Sequence, residues 1–235
     1  AKSLLIGLLE NEGKVVALYG GGFKPPTKGH FEVAKKTLEE HPEISKFYIV
    51  IGSGVRNNIT TDESVSTWSI YKQYLSDKVE IVTSQSPLKY IKDYIQNNPE
   101  NKTYVVLGTR EGNEDDVQDF FKRKEFFEKY GNNAEVLNIT TADGISGTKA
   151  RKAAAQSKEE FLKYVPDQLT DEEKDTVYNS VLSVVKENLE SKSNFSYPLN
   201  LKELTGYMMG QGLKIQPLPK VRIISNDIEI GRAHV

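Results

Sequence analysis

Short apolar runs alternate with amphipathic stretches through the first 156 residues of the chain. The first run, VVALY at 15–19, ends in three glycines, and an apolar run bounded by glycine is typical of a buried parallel strand. Strands that alternate with helices at this spacing predict an α/β fold whose parallel sheet is covered on both faces. The predicted strands are 15–19, 46–52, 79–83, 103–108 and 134–139, and the predicted helices are 30–40, 60–75, 86–97, 115–130 and 146–156.

The alternation ends near residue 157, where the pattern becomes helical. Residues 157–164 and 171–189 have helical spacing, and Thr170 and Glu173 have the spacing of a capping box. A polar linker follows at 191–198. We therefore expect three parts, which are a domain of residues 1–156, a helical extension of residues 157–190, and the truncated start of a further module in residues 191–235.

The amino-acid composition narrows the classes of protein to which this chain can belong. The chain has 235 residues, with 31 Lys and Arg against 33 Asp and Glu, a formal charge of −2, and no cysteine. Disulfides, thiolate nucleophiles and Cys-ligated zinc are excluded, and near-neutral charge argues against a nucleic-acid surface. The apolar segment at 4–9, read as a short helix, is too short to span a membrane and lacks the features of a secretion signal. We expect a cytoplasmic protein.

The last seven residues, EIGRAHV at 229–235, match what a common sequencing adapter encodes in frame. Our hypothesis is that they are adapter-derived, which removes His234 from every functional consideration. Finding the same heptapeptide in a finished, independently sequenced genome would contradict this hypothesis.

A glycine-rich turn, GGGFKPPTKGH at 20–30, follows the first predicted strand. Glycines let the backbone approach a ligand, and a helix N-terminus attracts phosphate. Thr27 and His30 are three residues apart, so they share one side of the first helical turn, with Lys24 and Lys28 nearby. The segment is neither a Walker P-loop nor a dinucleotide fingerprint. A glycine turn alone is a weak signal, but its combination with Thr-x-Gly-His is specific.

A second motif, ISGTKAR at 145–151, follows the last predicted strand. Ser146 is placed to cap the helix, and Thr148 and Arg151 lie on one face of its first turns. Hydroxyls, helix N–H groups and a guanidinium together bind phosphate oxygens well. Taken alone, the segment is better explained as an ordinary capped helix with a surface arginine.

Together the two motifs resemble those of the nucleotidylyltransferase superfamily, in its cytidylyltransferase-like group. The signatures are His/Thr-x-Gly-His after the first strand and Ile-Ser-Ser-Thr-x-x-Arg after the last, and the resemblance covers about residues 14–156. It implies a Rossmann-like, doubly wound, five-stranded parallel sheet, here followed by a C-terminal helical extension. This chain departs twice from the pattern, because Thr27 replaces the first histidine and Gly147 replaces the second serine.

The resemblance also implies an activity. An acceptor phosphate attacks the α-phosphorus of a nucleoside triphosphate and pyrophosphate leaves, with Mg²⁺ carried on the triphosphate. Such catalysis is mainly positioning and charge stabilisation. The catalytic residues that the resemblance implies are His30, Thr27 and Lys24. The nucleotide-binding residues are Gly21, Gly22, Phe23, Lys28, Arg110, Ser146, Thr148 and Arg151.

Several other residues are weaker candidates for a functional role. Arg110 lies at the end of the fourth predicted strand, next to the expected switch point, and a surface arginine is an equal alternative. Arg56 could meet the acceptor but is better explained as a solvated loop charge. Trp68 has the helical spacing of a core residue. The basic run at 122–124, flanked by phenylalanines, predicts an amphipathic helix with a solvated basic face rather than an RNA site. His41 is expected at the surface.

Three functions compete. The leading one is a nucleotidylyltransferase, with Thr27 favouring transfer of AMP over CMP to a small phosphorylated acceptor. The second is a catalytically inactive nucleotide-binding module of a larger protein. The third, a tRNA-synthetase-like domain, is disfavoured by the short chain and neutral charge. The tail from about residue 195 faintly resembles the start of a metallopeptidase-like module of phage proteins, which implies a phage origin and the host cytoplasm. The sequence identifies neither the acceptor nor the oligomeric state.

Overall fold

The structure, a computed structural model, describes residues 13–56, 58–142 and 144–193. The predictions for the short helix at 4–9, for the module at 191–235 beyond residue 193, and for the adapter-derived end lie outside these residues. None of the helices in the described residues combines the length and apolar character that a membrane crossing requires.

The five strands form one parallel sheet in the order β3-β2-β1-β4-β5. The first strand, β1, is therefore central. The next two strands, β2 and β3, lie on one side of it, and β4 and β5 lie on the other side. This arrangement confirms the predicted doubly wound α/β fold, and it places a topological switch point between β1 and β4, where such sheets bind ligands. The strands are β1 (Val15–Gly21), β2 (Lys46–Gly52), β3 (Val79–Ser84), β4 (Lys102–Arg110) and β5 (Ala134–Thr141).

Helices connect and follow the strands, close to the predicted ranges. The fourth strand is longer than predicted because its ladder with β5 continues through the pairs Thr109–Thr140 and Arg110–Thr141. The helices are α1 (Lys28–Glu40), α2 (Thr61–Lys72), α3 (Pro87–Asn97), α4 (Glu114–Glu128), α5 (Gly147–Gln156), α6 (Lys158–Leu162) and α7 (Asp171–Ser193).

The sheet separates two apolar cores, and alternate residues of β1 enter each of them. Ala17 and Tyr19 belong to the core that contains α1, α2, α5 and the C-terminal helices. Val16 and Leu18 belong to the core under α3 and α4. Trp68 of α2 is fully buried in the first core, which confirms its predicted structural role.

The C-terminal helices complete the first core. The buried apolar residues of this segment share one cluster with the centre of the sheet, and they are Phe161, Val165, Leu169, Val177 and Val181. Its backbone also contacts the start of α1, because the carbonyl of Tyr164 accepts a hydrogen bond of 2.7 Å from the N–H of Lys28. The segment therefore fixes the first residue of α1.

Candidate active site

Two cavities in the described part of the chain meet at His30, at the carboxyl ends of β1 and β4. The larger, of about 550 Å³, is lined by Thr27, Gly29, His30 and residues 145–148, and we call it the motif cavity. The smaller, of about 220 Å³, lies between the turn at 20–23 and helix α4, and we call it the glycine cavity. The fold thus brings residues of the two sequence motifs to one cavity.

His30 is held in one tautomer by its own helix. Its Nδ1 lies 3.0 Å from the backbone nitrogen of Thr27, whose N–H donates to it, so Nδ1 carries no hydrogen. The hydroxyl of Thr27, also 3.0 Å from Nδ1, then donates to the same atom. The ring proton is therefore on Nε2, which has no hydrogen-bond partner among the described residues and opens to the cavities.

The imidazole of His30 is neutral at physiological pH. The ring is only partly exposed, and the edge of Phe23 lies 5.1 Å from it between ring centroids. Burial among these groups lowers the pKa of His30 to about 4. The side chain can therefore donate a hydrogen bond to a phosphate oxygen without a prior charge of its own.

Two glycines allow the two motifs to approach each other. A side chain at Gly29 would place its Cβ 3.3 Å from Ile145 Cγ2, so the first turn of α1 can pack closely on the second motif. A side chain would also be tightly placed at Gly147. A Cβ at Gly147 would lie 3.3 Å from the carbonyl oxygen of Lys24, which is tighter than most such contacts.

Arg151 joins the second motif to the first. Its Nη1 donates to the backbone carbonyl of Lys24, and its Nη2 donates to Thr148 Oγ1 over 3.1 Å. Burial, and to a lesser degree the charge of Arg56, lower the pKa of the Arg151 guanidinium. Two like charges therefore lie close together beside the motifs, which favours a nearby anion.

The N-termini of α1 and α5 supply further attraction for anions. Gly29, Gly147 and Thr148 occupy the first turns of these helices and line the motif cavity. Ser146 caps α5, since its Oγ accepts from the N–H of Lys149 at 3.2 Å. The N-termini of both helices therefore border the cavity, and the positive ends of their dipoles suit a chain of phosphates.

Some predicted site residues point elsewhere. Lys24 is buried, and its Nζ donates to Thr61 Oγ1 at 3.3 Å instead of lining either cavity. Burial lowers the pKa of this ammonium. Lys28 forms an ion pair with Asp167 and lines neither cavity. Arg151 also lines neither cavity. None of these three cations lines either cavity, and their phosphate contacts stay predictions.

The turn residues Gly21, Gly22 and Phe23, predicted to line the nucleotide cleft, line the glycine cavity. Arg110, the fourth predicted cation, does line the motif cavity. Its Nε and Nη2 donate to the two carboxylate oxygens of Asp116 at 2.7 and 2.6 Å, and this fork lowers the pKa of Asp116.

Helix α4 contributes residues that the sequence interpretation missed. Asp116, Asp119, Phe120 and Arg123 line the glycine cavity, and Arg123 Nε pairs with Asp119 at 2.7 Å. Arg123, in the predicted solvated basic face at 122–124, is 36% exposed and also lines this cavity. The four positions follow the spacing i, i+3, i+4, i+7, which is the signal of a single helix face and could have identified them.

The comparisons with known proteins gave matches among solved structures. No family model matches the chain, and no curated protein matches it. Among solved structures, Plasmodium falciparum nicotinic acid mononucleotide adenylyltransferase complexed with APC is similar over 71% of this chain and 95% of that chain, with 20% identity and a TM-score of 0.48. The same enzyme complexed with NaAD gives a TM-score of 0.46, with the same identity and coverage.

Thermotoga maritima TmcAL bound with alpha-thio ATP is similar over 74% of this chain and 56% of that chain, with 13% identity and a TM-score of 0.45. At these levels of similarity we draw no functional conclusion from the three structures.

Proposed function

We propose that the chain is a nucleotidylyltransferase that moves a nucleoside monophosphate, AMP rather than CMP, from a nucleoside triphosphate to a small phosphorylated acceptor. The observation that carries the proposal is the motif cavity, where two helix N-termini and the neutral, donating Nε2–H of His30 converge. A triphosphate is a ligand that such a group of uncharged donors fits. Thr27 in place of the first histidine of the signature favours adenylyl transfer.

The reaction forms one bond and breaks one. An oxygen of the acceptor phosphate attacks the α-phosphorus of the triphosphate, and the bond from that phosphorus to the α,β-bridging oxygen breaks. The electron pair of this bond leaves with pyrophosphate. No proton transfer and no covalent enzyme intermediate are required, so the protein acts by positioning the two phosphates and stabilising charge.

His30 is the proposed catalytic residue. Its Nε2–H donates to a non-bridging oxygen of the α-phosphate, where negative charge builds in the transition state. Thr27 is a positioning residue, since its N–H and hydroxyl hold Nδ1 and so direct Nε2 to the cavities. Ser146, Thr148 and the first N–H groups of α5 are proposed to hold the β- and γ-phosphates.

Magnesium is proposed to arrive on the triphosphate and to neutralise part of its charge. No group of three or more histidine, aspartate or glutamate side chains in the described residues has the geometry of a metal site. Asp116, the acid that lines both cavities, is engaged by Arg110. The ion is therefore expected to take its ligands from phosphate oxygens and water, as Mg²⁺ commonly does.

The test is release of pyrophosphate by the full chain with Mg²⁺, using ATP or CTP and a panel of phosphorylated acceptors. We expect release with ATP and one acceptor, and loss of most activity in His30→Ala. His41→Ala is the matched control, because His41 lies away from both cavities beside Glu43 and should leave activity intact. A silent panel with ATP binding by calorimetry would favour the inactive binding module, and silence without binding would refute both.

A further inference from the structure

Helix α4 carries a small exposed apolar patch that the proposed function does not use. Val117 is 43% exposed and Phe121 is 61% exposed, and the two residues lie one turn apart on the same face of the helix. Neither residue lines the motif cavity or the glycine cavity. An exposed apolar patch surrounded by polar residues is typical of a surface that binds another protein.

The residues around this patch follow the pattern of a helix that packs against another helix. Glu114, Val117, Phe121 and Lys124 are separated by steps of three, four and three residues, so they form one stripe along α4. Steps of this kind place a stripe against a partner helix in coiled-coil packing. The stripe has a negative end, an apolar centre and a positive end, and we call it the α4 stripe.

The α4 stripe is complementary to itself. When two copies of the helix pack antiparallel, Val117 lies opposite Phe121 and Glu114 lies opposite Lys124, because both pairs are centred on position 119. Twofold symmetry forms each pair twice. With a rise of about 1.5 Å per residue, the two apolar contacts lie about 6 Å apart and the two ion pairs about 15 Å apart. Parallel packing would instead place each charge beside its own copy, so the charges favour the antiparallel arrangement.

The charged ends of the stripe are accessible to a partner. Glu114 is exposed in the first turn of α4. The side chain of Lys124 is 43% exposed, and its Nζ lies 3.7 Å from Glu128 in an ion pair within the helix. Exposed pairs of this kind contribute little to stability. Lys124 can therefore turn towards a carboxylate of a second copy at small cost.

The surface beside Val117 has room for an aromatic ring. An open hollow of about 440 Å³ lies at the start of α4, and its lining consists of Gly112, Asn113, Glu114, Val117 and Gln118. In the antiparallel arrangement, Phe121 of the second copy lies opposite Val117 and thus next to this hollow. Aromatic residues that enter a hollow of the partner commonly contribute most of the binding free energy of an interface.

We propose that the α4 stripe is an interface with a second copy of this chain, in which the two helices pack antiparallel about a twofold axis at position 119. A match between the two halves of one surface is what a twofold interface requires, whereas an unrelated partner would not require it. The inference is independent of nucleotidyl transfer, since the four residues of the stripe line neither cavity at the sequence motifs.

The experiment is analytical ultracentrifugation of the full chain from about 1 µM to about 200 µM. We expect a dimer whose fraction rises with concentration. Phe121→Asp should raise the dissociation constant of the dimer about tenfold or more, because it buries a charge at both apolar contacts. Val55→Asp is the matched control, since Val55 is 66% exposed in the loop after β2 and should leave the dimer unchanged. Circular dichroism and melting temperature check that each variant folds.

A charge exchange tests the antiparallel arrangement itself. Glu114→Lys and Lys124→Glu should each weaken the dimer, because either change places like charges opposite each other at both ends of the stripe. An equal mixture of these two variants should dimerise again, since a heterodimer restores opposite charges at both ends. Glu114→Lys combined with Lys124→Glu in one chain should also dimerise, because the two ion pairs form with their signs reversed.

Three results would overturn the inference. The first is a chain that stays monomeric over the whole concentration range, and the second is a dimer that Phe121→Asp leaves intact. The third is a mixture of Glu114→Lys and Lys124→Glu that dimerises no better than either variant alone, because the two charges would then not lie opposite each other. None of these results depends on release of pyrophosphate, so the proposed function is tested separately.

Discussion

Protonation of His30 should destabilise the folded chain, and the size of the effect follows from its surroundings. The folded-state pKa is about 4, whereas an unfolded histidine has a pKa of about 6.5. Between these values the unfolded chain binds a proton that the folded chain does not. Stability is therefore fully present above about pH 6.5 and decreases as the pH falls towards 4. From these two pKa values, the loss attributable to His30 between pH 8 and pH 5 is about 2 kcal/mol.

The assay is urea denaturation of the wild type and His30→Asn at pH 8, 6 and 5. Asparagine offers an amide oxygen to the N–H of Thr27 but does not titrate, so the variant removes the pH-dependent part of the contribution. The wild type should lose about 2 kcal/mol more than His30→Asn between pH 8 and 5. Parallel curves for the two proteins would show that the folded-state pKa of His30 is ordinary, and would refute its assignment as a buried, neutral donor.

Three further outcomes follow from other contacts. Arg151→Lys should lower the free energy of unfolding in urea by about 1 to 3 kcal/mol, because lysine cannot make both the bond to the Lys24 carbonyl and the second fork contact; an unchanged midpoint would contradict this. Asp167→Asn should shift the melting temperature by less than about 3 °C, since this carboxylate is 80% exposed beside Lys28. Trp68→Phe should cost about 1 to 2 kcal/mol in urea, because the cavity it leaves in the core is partly offset by the loss of a buried Nε1 that has no hydrogen-bond partner in the described residues. A loss of about 4 kcal/mol or more would contradict this offset.

The order of strands and helices could be predicted because each element carries its own local signal. The run at 46–52 is bounded by polar residues and glycine, and it coincides with β2. The end of β4 could not be predicted in this way, because Thr109 and Arg110 are in the strand only through their pairing with β5. The pairing of two distant segments cannot be recognised from the residues of one short stretch of sequence.

The same distinction between local and long-range signals applies to the candidate site. Thr27, His30, Ser146 and Thr148 were found because spacing along a helix fixes which side chains share a face, and all four line the motif cavity. The direction of a long, flexible side chain is set by partners distant in sequence. Lys28 is therefore paired with Asp167, and the sequence near residue 28 contains no sign of this pairing.

The bond from Lys28 to Tyr164 has a consequence for how the protein is made. Both motifs are synthesised by residue 151, but the first turn of the helix that carries His30 is fixed by a carbonyl that emerges later. Contacts between residues so far apart in sequence form slowly. During synthesis the nascent chain thus carries all its proposed catalytic groups before it can hold them in place, and an intermediate released at that stage would expose the apolar surface that Phe161 and Val177 later cover.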